Sequence, residues 1–239
     1  MQAKPALTVV HSSDLHLCAQ TGDDFSVLET VLETADRVEA DLVLLAGDIF
    51  DHNRVRTSSI AKATWLLRGA GRQIVILPGN HDCLVPDSVY RRGDLAEPEN
   101  VCVLGISADE AVRFPQWDLE VWGRPHIDYS DHSPLALPRA RSTRWQIAMA
   151  HGHWVTGKHD LHRSYLIRDE EIAACTCDYI ALGHWDRALQ IGDGSVPAYY
   201  SGSPQLAGTV NVIRLDSGGV HVSREPLCES QGPERRVRE

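Results

Sequence analysis

Short, continuously apolar runs alternate with stretches of helical periodicity through the first hundred residues. "LTVVHSSD" is an apolar run that ends at Asp14. From Phe25 to Val38 the residues Leu28, Val31, Leu32, Ala35 and Val38 recur at the spacing of one helix face. "DLVLLAGD" holds a second run, Leu42 to Leu45, stopped by Gly47. A helical stretch then covers about Ser58 to Arg68, with Ile60, Ala63, Thr64 and Leu67 on one side. "QIVILPGNHD" is a third run, ending in Pro-Gly. Runs with no polar face predict parallel strands covered on both sides, with helices crossing between them.

After Asn100 the pattern turns to short strands: "NVCVLG", "DLEVWG", "WQIAMAHG", "YIALGH", "PAYYSG", "VNVIRLD" and "GGVHVSRE". "GDG" and "SGG" are turn signals, and "DEEIAAC" predicts a helix ahead of "YIALGH". The reading is a single α/β domain over residues 1–228. The polar segment 229–239, "ESQGPERRVRE" from Glu229, predicts a disordered tail.

At 239 residues the chain can bury a substantial core. No apolar run approaches the roughly 18 to 20 residues of a membrane span, and "MQAKPALTVV" lacks the h-region of a signal peptide. The chain therefore reads as cytoplasmic, with no membrane contact. A net charge of −10 counts against an extensive basic face for duplex DNA, so any nucleic-acid contact is expected to be local. The six cysteines form no C-x-x-C pair; Cys175 and Cys177 make only C-x-C, and all read as reduced structural thiols. Twelve histidines are the compositional oddity.

The chemistry lies just past the apolar runs. The first delivers Asp14 and His16, the second Asp48, and the third Asn80, His81 and Asp82. "WQIAMA" delivers His151, and "YIALG" delivers His184 and Asp186. In open α/β sheets such residues share the rim outside the carboxyl ends of the strands. Gly47, Gly79, Gly152 and Gly183 let the backbone turn close by. Carboxylate, imidazole and amide oxygen together suit Mn²⁺, Fe²⁺ or Zn²⁺ rather than a thiolate zinc site.

"DLH" (Asp14 to His16), "GDIFDHNR" (Gly47 to Arg54), "GNHD" (Gly79 to Asp82), "HGH" (His151 to His153) and "GHWD" (Gly183 to Asp186) follow one another in this order. They resemble the five blocks of the calcineurin-like metallophosphoesterases: D-x-H, G-D-x-x-D, G-N-H-D/E, a strand-end H, and G-H-x-H. Within that superfamily "GDIFDHNRV", "GNHDCLVPDSVY" and "YYSGSPQ" look most like the DNA-repair exonuclease branch of the SbcD type.

The resemblance implies a four-layer α/β/β/α sandwich with a dinuclear metal site at the strand C-terminal ends. It places Asp14, His16, Asp48 and the last-block residue on one divalent ion, and lets Asp48 bridge to a second completed by Asn80, His151 and His184. It makes His81 the group that stabilises the transition state or protonates the leaving oxygen, with Asp82 orienting its imidazole. His151 comes first after "IAMA" and keeps the strand-to-site register; His153 then faces substrate or supports the site from outside. Asp51 reads as a loop carboxylate rather than a ligand. His11, His52, His126, His132, His159, His162 and His221 read as surface or loop residues, with His52 the one placed to touch substrate. Arg54 and Arg56, and Arg91 and Arg92, flank the site in sequence, and Arg54 is the substrate-binding choice.

One block departs from the pattern. Asp186 stands where the family has the second histidine of G-H-x-H. Its carboxylate either takes the imidazole's place or leaves that metal short of a ligand. As a ligand it adds negative charge and favours Mn²⁺, with Fe²⁺, Zn²⁺ or Mg²⁺ as alternatives. The expected function is a metal-dependent phosphodiesterase acting on DNA as a nuclease. The alternatives are a small-molecule phosphodiesterase or phosphatase for a cyclic nucleotide or nucleotide ester, and a non-catalytic scaffold with a degenerate site. Full-length repair nucleases of this type also carry a DNA-capping region and a segment that docks on a coiled-coil ATPase. Neither has room in this chain, so the expectation does not extend to an ATPase partner.

Overall fold

The computed structural model describes residues 6–18, 24–135 and 139–228. The three early apolar runs become β1 (Leu7–Ser12), β2 (Leu42–Ala46) and β3 (Gln73–Leu77), which pair in parallel and are joined by β4 (Val101–Val103). Between them run α1 (Ser26–Arg37), α2 (Thr57–Gly69) and the single turn α3 (Val89–Arg92). The last two strands, β13 (Thr209–Asp216) and β14 (Gly219–Pro226), form a hairpin over the predicted "SGG" turn and add antiparallel to β1. The first sheet therefore has the order β14-β13-β1-β2-β3-β4.

The second sheet has a parallel centre: β6 (Leu119–Gly123), β7 (Trp145–His151), β10 (Tyr179–Gly183) and β12 (Ala198–Tyr200). Its edges are β5 (Ala111–Phe114) and β11 (Leu189–Ile191), both antiparallel, giving the order β11-β12-β10-β7-β6-β5. A two-residue pair, β8 (His153–Trp154) with β9 (Leu166–Ile167), follows the "HGH" block. The predicted helix is α4 (Asp169–Ala174), and α5 (Pro204–Ala207) is a further single turn.

Alternation along the strands sorts the apolar side chains into three layers. Val43 and Leu45 of β2 pack with Leu28 and Val31 of α1 and Ile60 and Ala63 of α2. Leu42, Leu44 and Ala46 point the other way and pack against Ile147 and Met149 of β7 and Tyr179 and Ala181 of β10. Ala148 and Ala150, with Ile180 and Leu182, face outward onto Ile172 of α4. A strand buried on both faces needs this continuous apolar run. The expected α/β/β/α sandwich is borne out, with α4 as a thin outer layer.

One expectation fails here: His11, read as a surface or loop residue, is fully buried within β1, whereas His126 does lie in a loop but is buried as well. His11 Nδ1 meets the Tyr179 hydroxyl at 3.0 Å between the sheets, and His126 Nε2 meets the His151 carbonyl at 2.9 Å. The tail expected to be disordered, 229–239, lies outside the described residues.

Candidate metal centre

The ends of β1, β2 and β3 meet those of β7 and β10 at one edge of the layer between the sheets. The Asp14 N–H donates to the Gly47 carbonyl at 3.0 Å, and the His16 N–H to the Asp48 carbonyl at 3.0 Å. Across the layer, His151 Nδ1 donates to the Ala46 carbonyl at 2.9 Å, and the His184 N–H reaches both Asp14 carboxylate oxygens, at 3.1 and 2.9 Å. Asp14, His16, Asp48 and His184 have φ of 55, 45, 53 and 102°, a region that side-chain-bearing residues seldom occupy. Strain of about 1–3 kcal/mol at such a residue persists only where its surroundings over-determine it. These cross-strand hydrogen bonds do so.

Two glycines let the polar groups close in. Gly47 has φ of 92°, and a Cβ there would fall on the His151 ring. A Cβ on Gly79 would fall on the Asp48 carboxylate.

Two ligand groups result. The ligand atoms of Asp48, His151 and His184 lie within 4.8 Å of one another, and so do those of His16, Asp48 and His81. Asp48 belongs to both. Its Oδ2 is 3.1 Å from His151 Nε2. Asn80 Oδ1 joins the first group, 3.1 Å from His151 Nε2 and 3.1 Å from His184 Nδ1. The Ala46 carbonyl on Nδ1 of His151 leaves Nε2 as the atom that could ligate a metal.

Burial and close approach couple the charges of these groups. Burial alone would push the His151 imidazole down, but Asp48 beside it lifts it to about 9. Burial likewise opposes ionisation of Asp48, yet the His151 imidazolium holds its carboxyl well below the usual range. Asp14 is pushed up to about 6 by burial, against the pull of His151. His184 is pushed down to about 3 by burial and then by the charge on His151. The group favours positive charge beside the Asp48 carboxylate. Carboxylate, imidazole and amide oxygen fit a borderline or hard divalent ion. None of the six cysteines belongs to either group.

The sequence matches the family model of the calcineurin-like phosphoesterases over residues 7–187. The chain belongs to that family. That family is one of phosphoric-ester hydrolases, and the residues gathered here fit divalent ions. It is 24% identical over 223 residues to "Uncharacterized metallophosphoesterase YhaO" of Bacillus subtilis, covering 83% of this chain and 53% of that protein. It is 34% identical over 84 residues to "DNA double-strand break repair protein Mre11" of Aeropyrum pernix, covering 31% of this chain and 20% of that protein. The chain thus spans about half the length, or less, of these curated relatives. Among solved structures, the protein TT1561 of Thermus thermophilus superposes with a TM-score of 0.60 at 13% identity, over 92% of this chain and 99% of that one.

Of the residues assigned through the family blocks, His16, Asp48, Asn80, His151 and His184 come together in the two groups. Asp14 is buried beside them, but its carboxylate is turned to the His184 backbone. Asp186 is exposed and lies in neither group. His52 takes the Arg54 N–H on its Nδ1 at 3.2 Å, and the Arg54 side chain is exposed. Arg91 and Arg92 turn their guanidinium groups to backbone carbonyls, Arg91 to Leu84 and Arg92 to Asp87, Asn53 and Val55.

Three roles change. Asp82 does not orient His81: its carboxylate accepts the N–H groups of Ile49, Phe50 and Gly79 and the Tyr90 hydroxyl, at 2.7 to 3.1 Å. It fixes the loops that carry Asp48 and Asn80. Asp51 does face His81: its carbonyl meets His81 Nδ1 at 2.7 Å, and its carboxylate meets His16 Nδ1 at 3.2 Å. The second Asp of the G-D-x-x-D block was the available signal for it. His153 does not face substrate, being buried with its Nδ1 accepting from the Trp185 indole N–H at 3.1 Å and its Nε2 lying 3.3 Å from an Asp160 carboxylate oxygen. Nothing in the sequence pointed to Asp160.

Proposed function

We propose that this phosphoesterase cleaves phosphodiester bonds in DNA as a nuclease, prefers single strands, and uses two ions held through Asp48, with Mn²⁺ the favoured metal. The observation that carries the reading is the sharing of Asp48 between two ligand groups beside an accessible histidine, His81, whose side chain is 43% exposed. Asp48, Asn80, His151 and His184 would hold one ion, and His16, Asp48 and a further neighbour the other. Such a pair of ions, when bound, acidifies water and polarises phosphate oxygens for in-line displacement.

The chain's own groups supply the rest. With Nδ1 of His81 on the Asp51 carbonyl, Nε2 is the atom free to deliver a proton to a leaving oxygen. The His81 backbone N–H donates to Asp48 Oδ1 at 2.9 Å, which ties the loop that carries His81 to the shared ligand. Arg54, exposed two residues beyond His52, offers a guanidinium fork for a backbone phosphate. Support for nucleic acid as substrate comes from the Mre11 likeness and from the "GDIFDHNRV" and "GNHDCLVPDSVY" phrases.

The test is a parallel assay with Mn²⁺ of single-stranded DNA, duplex DNA and bis-p-nitrophenyl phosphate. Cleavage of the single strand ahead of duplex supports the nuclease reading. Hydrolysis of the small diester with neither DNA cut would move the assignment to a small-molecule phosphodiesterase.

A further inference from the structure

The phrase "YYSGSPQ" supplies no ligand to either group, yet it runs beside both ends of the site. Ser201 Oγ is 2.8 Å from Ser13 Oγ, and both residues are fully buried. The Ser203 N–H donates to the Asp186 carbonyl at 3.2 Å. Gln205 Nε2 donates to the Leu15 carbonyl at 2.7 Å, and the Ser203 hydroxyl donates to Gln205 Oε1 at 2.8 Å, which fixes the direction in which the amide faces. Gly202 has φ of 77°, and a Cβ there would meet the backbone of Asp186 and Ala188, so the strap lies directly on the last ligand block.

Leu15 is the middle residue of the Asp14–Leu15–His16 turn. With left-handed residues on either side, φ 55 and 45°, its peptide is turned out of strand geometry. Among the described residues, Gln205 is the donor that its carbonyl meets. Removing that donor would leave a strained turn without the bond that holds its centre.

We infer that Gln205 is a positioning residue for the ion site that His16 and Asp48 share. By holding the Leu15 carbonyl it keeps the turn in the shape that presents His16, while Ser201 and Ser203 tie the same strap to Ser13 and Asp186. The inference rests on the two-group reading of the metal centre. It also makes the effect selective, because among the described residues the hydrogen bonds of the strap's side chains do not run to Asn80, His151 or His184.

The experiment is calorimetric titration of the metal-stripped chain with Mn²⁺, alongside the melting temperature of the metal-free protein. Gln205→Glu keeps the size but sets an oxygen against the Leu15 carbonyl; Gln205→Met removes donor and charge together, and carries the test if the first variant does not fold. Wild type should take up two Mn²⁺. Both variants should bind one of the two about 10–100-fold more weakly, the range for loss of a group that orients a ligand. The other site and the melting temperature should stay as in wild type. Two Mn²⁺ bound as tightly in the variants as in wild type would overturn the role. So would a joint loss of both sites and of melting temperature, which would make Gln205 a folding residue. Wild type binding fewer than two Mn²⁺ would overturn the two-group reading beneath it.

Discussion

His81 stands where proton transfer and metal ligation compete for one imidazole. Its Nδ1 is committed to the Asp51 carbonyl at 2.7 Å, yet its ring falls in the group with His16 and Asp48. The reading as proton donor predicts that His81→Ala lowers turnover by about 10²–10⁴-fold with bound metal unchanged. Equal losses of metal and activity, by elemental analysis beside kinetics, would make it a ligand. Asp186 poses the complementary question. Exposed and outside both groups, it stands where the family's last block has a histidine. Asp186→His should raise affinity for Zn²⁺ relative to Mn²⁺, since imidazole suits the softer ion. Unchanged selectivity in competition titrations would mean that this position does not reach a metal.

At the scale of elements, legibility followed burial. Strands β1, β2, β3, β7 and β10 are covered on both faces, so their sequences had to be continuous apolar runs, and the first polar residues beyond them stood out as candidates for the site. The edge strands β5 and β11 escaped notice because Arg113, Leu189 and Gln190 are exposed and break any such run. The turns α3 and α5 are too short to show a helical period. The contacts of Asp82 with Ile49 and of Gln205 with Leu15 join residues far apart in sequence, which no local pattern reveals. The buried His11 was misread for the same reason: its partner Tyr179 comes from the other sheet. Its burial has a measurable consequence. Burial pushes His11 down to about 3 from its ordinary 6.5, so the unfolded chain takes up a proton at a pH where the folded one cannot. Stability should then hold above about pH 6.5 and fall as pH drops toward 3, by about 1.4 kcal/mol per pH unit from this residue. Denaturant titrations of metal-free protein at several pH values should show a shallower slope for His11→Phe than for wild type. Equal slopes would mean that His11 is not held neutral.

For the molecule as a whole, charge limits what the site can grip. The chain carries −10 overall, and of the four arginines that flank the site in sequence, Arg91 and Arg92 are spent on backbone carbonyls. Few phosphates can be neutralised, so DNA binding should be weak and fall with salt along a shallow log–log slope. Fluorescence anisotropy should show single strands bound ahead of duplex; tight duplex binding at physiological salt would require a basic surface that the composition does not provide. No described helix is long and apolar enough to cross a membrane. The central claim, that phosphoester hydrolysis depends on ions held through Asp48, has one direct measurement. Protein stripped with chelator, and verified by elemental analysis, is assayed on bis-p-nitrophenyl phosphate before and after adding Mn²⁺. The account predicts no hydrolysis from the stripped protein, recovery with Mn²⁺, and no recovery in Asp48→Ala; full activity in the verified metal-free protein would contradict it.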